Sequence, residues 1–324
     1  MALKTTKGTM TSGKVNYRGR VLPIQKIYTM KNGKKCLVFS GWYWSIGEEI
    51  WRFTGNTNYV YGVAVDSQGY VYSGGWDKTV RKIDPNGNEV WRFTGNTKYV
   101  YSVAVDDKGY VYSCGTDKTV RKIDPNGNEV WKFEGHTNSV YSVAVDNDGY
   151  VYSGGRDMIV RKIDPNGNEV WKFEGHTSSV RGVAVDDKGY VYSGSNDKTV
   201  RKIDPNGNEV WKFTGHTDIV RGVAVDDKGY VYSCSDDKTV RKIDSNGNEI
   251  WKFEGHTSSV YGVAVDDKGY VYSCGYAETV RKIDPNGNEV WKFEGHTSSV
   301  RGVAVDDKGY VYSGSNDKTV RKIG

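Results

Sequence analysis

Proline and cysteine are scarce in this chain of 324 residues, with 6 and 4 copies. No run of apolar residues approaches the roughly 18 that a membrane-crossing helix needs. So few prolines beside 40 glycines exclude a collagen-like or proline-rich extended chain. Residues 1–15 hold no apolar stretch of signal-peptide length, so cytoplasmic synthesis without export through a signal peptide is expected. Acidic residues are missing from residues 1–47, which carry nine Lys or Arg. Apolar residues spaced for a helix are missing throughout. What is present is 37% hydrophobic, 26% charged and 13% aromatic, a composition too rich in aromatics for a disordered chain. Three of the four cysteines, Cys114, Cys234 and Cys274, share one position of a repeated unit whose sister copies carry glycine. They read as small buried residues rather than paired sulfurs, while Cys36 stands alone.

The repeat decides the architecture. Trp51, Trp91, Trp131, Trp171, Trp211, Trp251 and Trp291 recur every 40 residues without an insertion or deletion. One unit runs from Glu169-Val-Trp-Lys-Phe173 through Val180 to Val185, a turn at Asp186 to Gly189, Tyr190-Val-Tyr-Ser193, a loop through Asp197, and Thr199 to Ile203. These are four short runs rich in Val, Tyr, Trp and Ile, parted by turn chemistry: Asp187-Lys188-Gly189 and Asn206-Gly207 tolerate positive φ, and Pro205 presets a turn. A four-stranded antiparallel sheet of this kind cannot cover its own faces. A period of about 40 residues with four strands per unit predicts an all-β fold, a β-propeller of radially stacked blades.

Gly175-His176, Asp187-Lys-Gly189, Ser193-Gly-Ser-Asn-Asp197-Lys-Thr-Val-Arg201 and Asp204, together with their counterparts over residues 48–324, resemble the WD-repeat β-propellers. Every copy reads Ile-Asp where that family has Trp-Asp, as at Ile203-Asp204, so the family's buried network of His, Ser or Thr, Asp and Trp lacks its Trp. The segment Gly-Asn-Glu-Val-Trp-Lys-Phe is also similar to quinoprotein-like bacterial propellers. The last copy stops after its third strand at Ile323-Gly324, and Glu48 to Phe53 has the character of the missing fourth strand. Seven blades closed by that N-terminal strand are therefore expected over residues 48–324. The alternative is eight blades: aligning Gly19 with Gly175 sets Tyr17 on Phe173 and Ile24 on Val180, which makes residues 14–47 an eroded blade.

Residues 1–47 form a basic N-terminal arm. Within it Ile24 to Met30, the turn Lys31-Asn-Gly33 and Lys35 to Ser40 predict a β-hairpin. This pattern resembles the N-terminal hairpin modules of bacteriophage tail and other virion structural proteins. The resemblance implies a virion protein as partner of the arm and a place in the virion.

Chemistry is sparse. His136, His176, His216, His256 and His296 share one unit position and are held apart by the blade spacing, so they cannot converge on a metal and read as structural. The Asp164-Pro-Asn-Gly-Asn-Glu169 turn has oxygen ligands but not the spacing of a calcium loop. No nucleophile elbow, phosphate-binding glycine loop, zinc-protease motif or carboxylate pair stands out, so neither an enzyme nor a cofactor is expected.

The near-identical copies differ chiefly at two places. Tyr59, Tyr99 and the set Tyr61, Tyr101, Tyr141, Arg181, Arg221, Tyr261 and Arg301 vary at the start of the first strand. Trp76, Arg156, Asp236 and Tyr276, with Thr116, Asn196 and Asn316, vary in the loop between strands two and three. In WD-repeat propellers these positions ring one mouth of the channel, the face that family uses for partners. Tyr, Trp and Arg anchor interfaces because they bury area and also hydrogen-bond. A non-enzymatic interaction propeller follows, as a virion or appendage component or as an intracellular scaffold, with a protein or a cell-surface glycan at the mouth. A sugar-binding propeller is the second class and a quinone-dependent dehydrogenase the third. The formal charge of +5 divides into +9 for residues 1–47 and −4 for the remainder, so the repeats are no nucleic-acid clamp by charge and an acidic partner is expected at the arm.

Overall fold

The computed structural model describes residues 13–17, 20–24 and 47–324, and the chain divides into two compact units, residues 1–45 and 46–324. In the larger unit seven four-stranded antiparallel sheets follow one another along the chain. The first contains Val60–Val65, Val71–Gly75, Val80–Ile83 and Glu89–Phe93, and the next five repeat it at the same spacing. The seventh takes Val300–Val305, Val311–Ser315 and Val320–Ile323 from one end of the sequence and Glu49–Phe53 from the other. Phe53 pairs with Val320 and Trp51 with Lys322, as Phe93 pairs with Val80 and Trp91 with Lys82.

The core lies between blades rather than within them. Tyr112, Cys114, Val120 and Phe133 of the second blade pack on Val140, Val143, Val151 and Ile163 of the third. The same set recurs at the closure, where Phe53, Tyr312 and Val320 meet Val60, Val71 and Ile83. Each second strand is buried along its whole length because a neighbour covers each face. Burying such Val, Ile or Phe side chains is worth about 1.5–3 kcal/mol each. Ile203 and its counterparts, standing where WD repeats have Trp, are part of this core.

The repeat Trp has a different task. Trp91 on the outer strand donates its indole N–H across to the Pro125 carbonyl of the next blade at 2.9 Å. Its ring lies against Gly127, which has φ of 91° and where a Cβ would stand 3.1 Å from the indole. The turn that presents this glycine is held by Asp124, whose Oδ1 accepts from the backbone N–H groups of Asn126 and Asn128. Asp106 does the same at the other turn, and its Oδ2 accepts from the buried Tyr112 hydroxyl at 3.0 Å. At the closure Gly47, with φ of 58°, lies against Trp291 in the place of the turn glycine.

In the smaller unit Gly13–Tyr17 pairs antiparallel with Arg20–Ile24, Tyr17 opposite Arg20. The eight-blade alignment fails on this pairing. It equates Gly13–Tyr17 with Glu169–Phe173 and sets Ile24 at the start of Val180–Val185, two strands that belong to different sheets of the ring. Only Arg18 and Gly19 separate the two strands here, too short a link to step between blades. Of the hairpin expected over residues 24–40, Ile24 ends the strand Arg20–Ile24 and residues 25–40 lie outside the described residues.

Removing residues 1–45 is expected to leave one cooperative thermal transition within a few degrees of the full chain. Removing residues 1–53 strips the closing strand from Val320–Ile323 and should lower the melting temperature by more than about 10 °C, as read by circular dichroism.

Candidate binding face at the mouth of the ring

First strands of neighbouring blades run side by side. At Gly62 the approach is so close that a Cβ would stand 2.9 Å from the Ser102 Cα. The residue just before this glycine position is the variable Tyr or Arg. All but one of these residues therefore reach their neighbour in the next blade. Tyr61 meets Tyr101 edge-on at 5.4 Å between centroids, Tyr101 meets Tyr141 at 5.2 Å, and the Arg181 guanidinium lies 4.1 Å from the Tyr141 ring centre. From the other side Arg301 lies 5.2 Å from Tyr61 and 4.4 Å from Tyr261, and Arg221 lies 5.6 Å from Tyr261. The belt is interrupted only between Arg181 and Arg221, two cations. Burial, with Arg221 adding to it, lowers the Arg181 pKa.

The loop residues join this belt. Trp76 is nearly parallel to Tyr99 at 4.7 Å and to Tyr61 at 5.8 Å, and Tyr59 leans on it at 5.0 Å. Arg221 donates from Nε and Nη2 to the Asp236 carboxylate, the shortest bond at 2.6 Å. Arg181 donates to Asn196 Oδ1 at 2.7 Å and Arg301 to Asn316 Oδ1 at 3.1 Å. Of the expected site residues, Tyr59, Tyr61, Trp76, Tyr99, Tyr101, Tyr141, Arg181, Arg221, Asp236, Tyr261 and Arg301 thus form one connected set. Arg156 and Tyr276 stand apart on the rim, and Tyr276 is 59% exposed. Asn196 and Asn316 orient arginines, a role sequence reasoning missed. The signal was present: every blade with Arg in the belt has Asn or Asp in the loop and Ser before it, as at Ser195, Ser235 and Ser315.

A second feature was not anticipated. Lys78, Lys98, Tyr99, Thr116, Lys118, Asn138 and Ser139 line a hollow of about 430 Å³ across the first three blades. Among the described residues none of these three lysines forms an ion pair, whereas Lys198 on the far rim donates to the Thr217 carbonyl at 2.9 Å. Lys98 replaces Ser or Asn of most sister copies, so the hollow is a local basic groove on a ring whose overall charge is negative.

Beneath the mouth the histidines prove structural. His176 donates from Nδ1 to Asp197 at 2.8 Å and accepts at Nε2 from Ser193 at 2.8 Å. His136, His216 and His296 repeat both bonds. Thr177 N–H, Thr199 N–H and the Thr199 hydroxyl complete the donors around Asp197. Burial works to raise the Asp197 pKa, but the bonds from His176 and Thr199 outweigh it and hold the carboxyl well below the ordinary range, as they do at Asp237 and Asp317. The network therefore stands without the family's Trp. It is incomplete in three blades. Asn56 and Asn96 replace His in the first two, leaving buried Asn56 Nδ2, Ser73 Oγ, Asn96 Nδ2 and Ser113 Oγ without a partner. Ala277 replaces Asp in the sixth, where burial and Arg281 push the His256 pKa down to about 3. Cys114, Cys234 and Cys274 are free and buried, and burial pushes the Cys274 thiol up to about 12. No cluster of three or more metal-ligating side chains occurs among the described residues.

Seven blades, a closing strand from the opposite end of the sequence and a His–Ser–Asp set under the mouth define a WD-repeat β-propeller. The family described as outer membrane protein assembly factor BamB matches residues 45–157 and 156–272, and the chain belongs to that family of propeller repeats. The WD domain, G-beta repeat family matches residues 287–322. Among solved structures the WD40 β-propeller domain of Doa1 is similar, at 27% identity and a TM-score of 0.78, covering 86% of this chain and 96% of that one. No curated protein matches significantly.

Asn56→His and Asn96→His should each supply the missing bonds and raise stability by about 1 kcal/mol in urea unfolding. Acid should act in two stages. His256 stays neutral in the fold while the unfolded chain protonates near the ordinary value of 6.5, so stability falls as pH drops from there toward 3. The depressed Asp197, Asp237 and Asp317 add stability above the ordinary carboxylate value of 3.8 that is lost below it. Urea midpoints at pH 7, 5, 3.5 and 2 check both stages.

Proposed function

We propose that this chain is a non-enzymatic protein-binding propeller whose mouth takes an acidic segment of a partner protein. WD-repeat propellers are in general interaction scaffolds rather than enzymes. The observation that carries the reading is the continuity of the Tyr and Arg belt with the groove of Lys78, Lys98 and Lys118. Aromatic and guanidinium groups bury area and pair with carboxylates, and unpaired lysines attract an acidic chain from a distance. The groove lies on the aromatic side of the ring, beside Tyr99. A glycan reading draws on the open ring of Tyr276, since the π surface of Trp76 is already taken up by Tyr61 and Tyr99. The basic arm of residues 1–47 serves as a separate anchor to an acidic surface. Its virion or appendage setting rests on the hairpin resemblance, beside the intracellular scaffold.

A fluorescent peptide of alternating Glu and Tyr is the probe. It should bind the full chain at low salt and weaken steeply as salt rises. Lys78→Glu, Lys98→Glu and Lys118→Glu together should reduce binding at least about tenfold, because three attractions become repulsions. Equal binding by the triple variant would overturn the acidic-segment reading, and capture of a sugar on a glycan array that Tyr276→Ala abolishes would favour the lectin.

A further inference from the structure

The sixth blade differs from its sisters at the loop that normally carries the buried aspartate. It reads Tyr276-Ala277-Glu278-Thr279 where the fourth reads Asn196-Asp197-Lys198-Thr199. The change from Asp to Ala deletes the three heavy atoms of a carboxylate and leaves its surroundings in place. His256 is 4% exposed, Thr279 7% and Arg281 7%. Their His256 Nδ1, Thr279 Oγ1 and Arg281 Nε have no hydrogen-bond partner. Elsewhere the matching atoms of His176 and Thr199 donate to Asp197, and the Arg201 guanidinium pairs with it at 3.7 Å. The backbone N–H groups of Thr177 and Thr199 point at the same carboxylate, and Thr257 and Thr279 occupy their places in the sixth blade.

We propose that the sixth blade holds a binding site for a small carboxylate anion, formate being the closest in size, which takes the place that Asp157, Asp197, Asp237 and Asp317 occupy in the sister blades.

The chemistry of the donor set is one-sided. Ser273 hydrogen-bonds His256 Nε2 at 2.7 Å; with the Ser273 hydroxyl donating, the ring proton sits on Nδ1, the atom that faces the aspartate in the sister blades. The Thr279 hydroxyl can donate, and Arg281 offers only N–H groups. Arg281 pairs with Glu289 through Nη1, as its sisters pair with theirs. Its Nε is unpartnered as it also is in Arg81, Arg121 and Arg161, and the group that meets the aspartate in the fourth blade is the Nη2 of Arg201. Buried donors left unpaired are costly, about 1–3 kcal/mol each, and an anion that reaches them recovers that loss. The guanidinium sets the sign of the ligand, and two oxygens suit donors that converge from several sides. Glu278 is the neighbouring acid but is exposed, on a residue with φ of 64°.

The test compares the melting temperature of the full chain in sodium formate and in sodium chloride at equal ionic strength, pH 6. Formate should raise it in a saturating manner by about 5 °C beyond chloride, acetate less because of its methyl group. Ala277→Asp should be more stable without ligand and lose the formate effect. Nuclear magnetic resonance of the imidazoles should show one histidine moving on formate addition, and none in the variant. Ala277→Asn, which fills the space with a neutral amide, gives the same readout if the aspartate variant does not fold. An equal formate response in parent and filled variants would overturn the proposal, as would no response in the parent. So would an equally strong saturating effect of chloride over an inert salt, which marks a halide site, or a response that appears only in Glu278→Gln, which marks the chain's own carboxylate as the occupant. The triple lysine variant should keep the full formate response, so failure of the mouth reading leaves this result untouched.

Discussion

Every blade of this ring is a sheet too small to cover itself, and the packing of one blade face on the next is the constraint from which the rest follows. Because Tyr112 and Phe133 belong to one sheet and Val140 and Ile163 to the next, no blade has a core of its own. The ring must close, and Glu49–Phe53 closes it with the same register used inside the other blades. The repeat Trp reinforces this junction from outside by bonding to the neighbour's turn. Blade contacts at the channel are tighter still, backbone against backbone, which is why Gly62 and Gly182 tolerate no larger residue without a shift.

On this common frame the blades vary in two layers. The lower layer is the His–Ser–Asp set, complete in four blades and altered in three. Its alterations leave the shape as it is, since the strands of the sixth blade keep the register of their sisters. The upper layer is the belt of Tyr and Arg, where a change in one blade alters what its neighbour touches. Layering of this kind lets a binding face diversify while the packing beneath is held constant.

Much of the fold was legible because each unit states its turns and strands seven times over. The buried role of the histidines was legible too, from their shared position. The mouth was legible as a set of variable positions, but not as a connected surface. Contacts such as Tyr61 to Tyr101 join residues 40 apart whose proximity depends on the ring being closed. The lysine groove escaped notice for the same reason, since its walls come from three consecutive blades. The strands at residues 13–24 were missed because Pro23 and three basic residues obscure any alternation there. The Arg–Asn pairing could have been found, because Arg181 with Asn196, Arg221 with Asp236 and Arg301 with Asn316 co-occur in the sequence itself.

That pairing bears on how such a gene can change. Arg181 and Asn196 lie fifteen residues apart in one repeat. Recombination that exchanges whole units therefore carries both partners together, without separating a half-buried guanidinium from its oxygen partner. Breakpoints between the two positions would instead put Arg beside Trp76-type or Thr116-type loops. What is renegotiated at each exchange is only the contact across the blade boundary, where Tyr accepts either Tyr or Arg as neighbour. The repeat is thus a unit of inheritance with its own internal check, and the order of blades around the mouth is free to be shuffled.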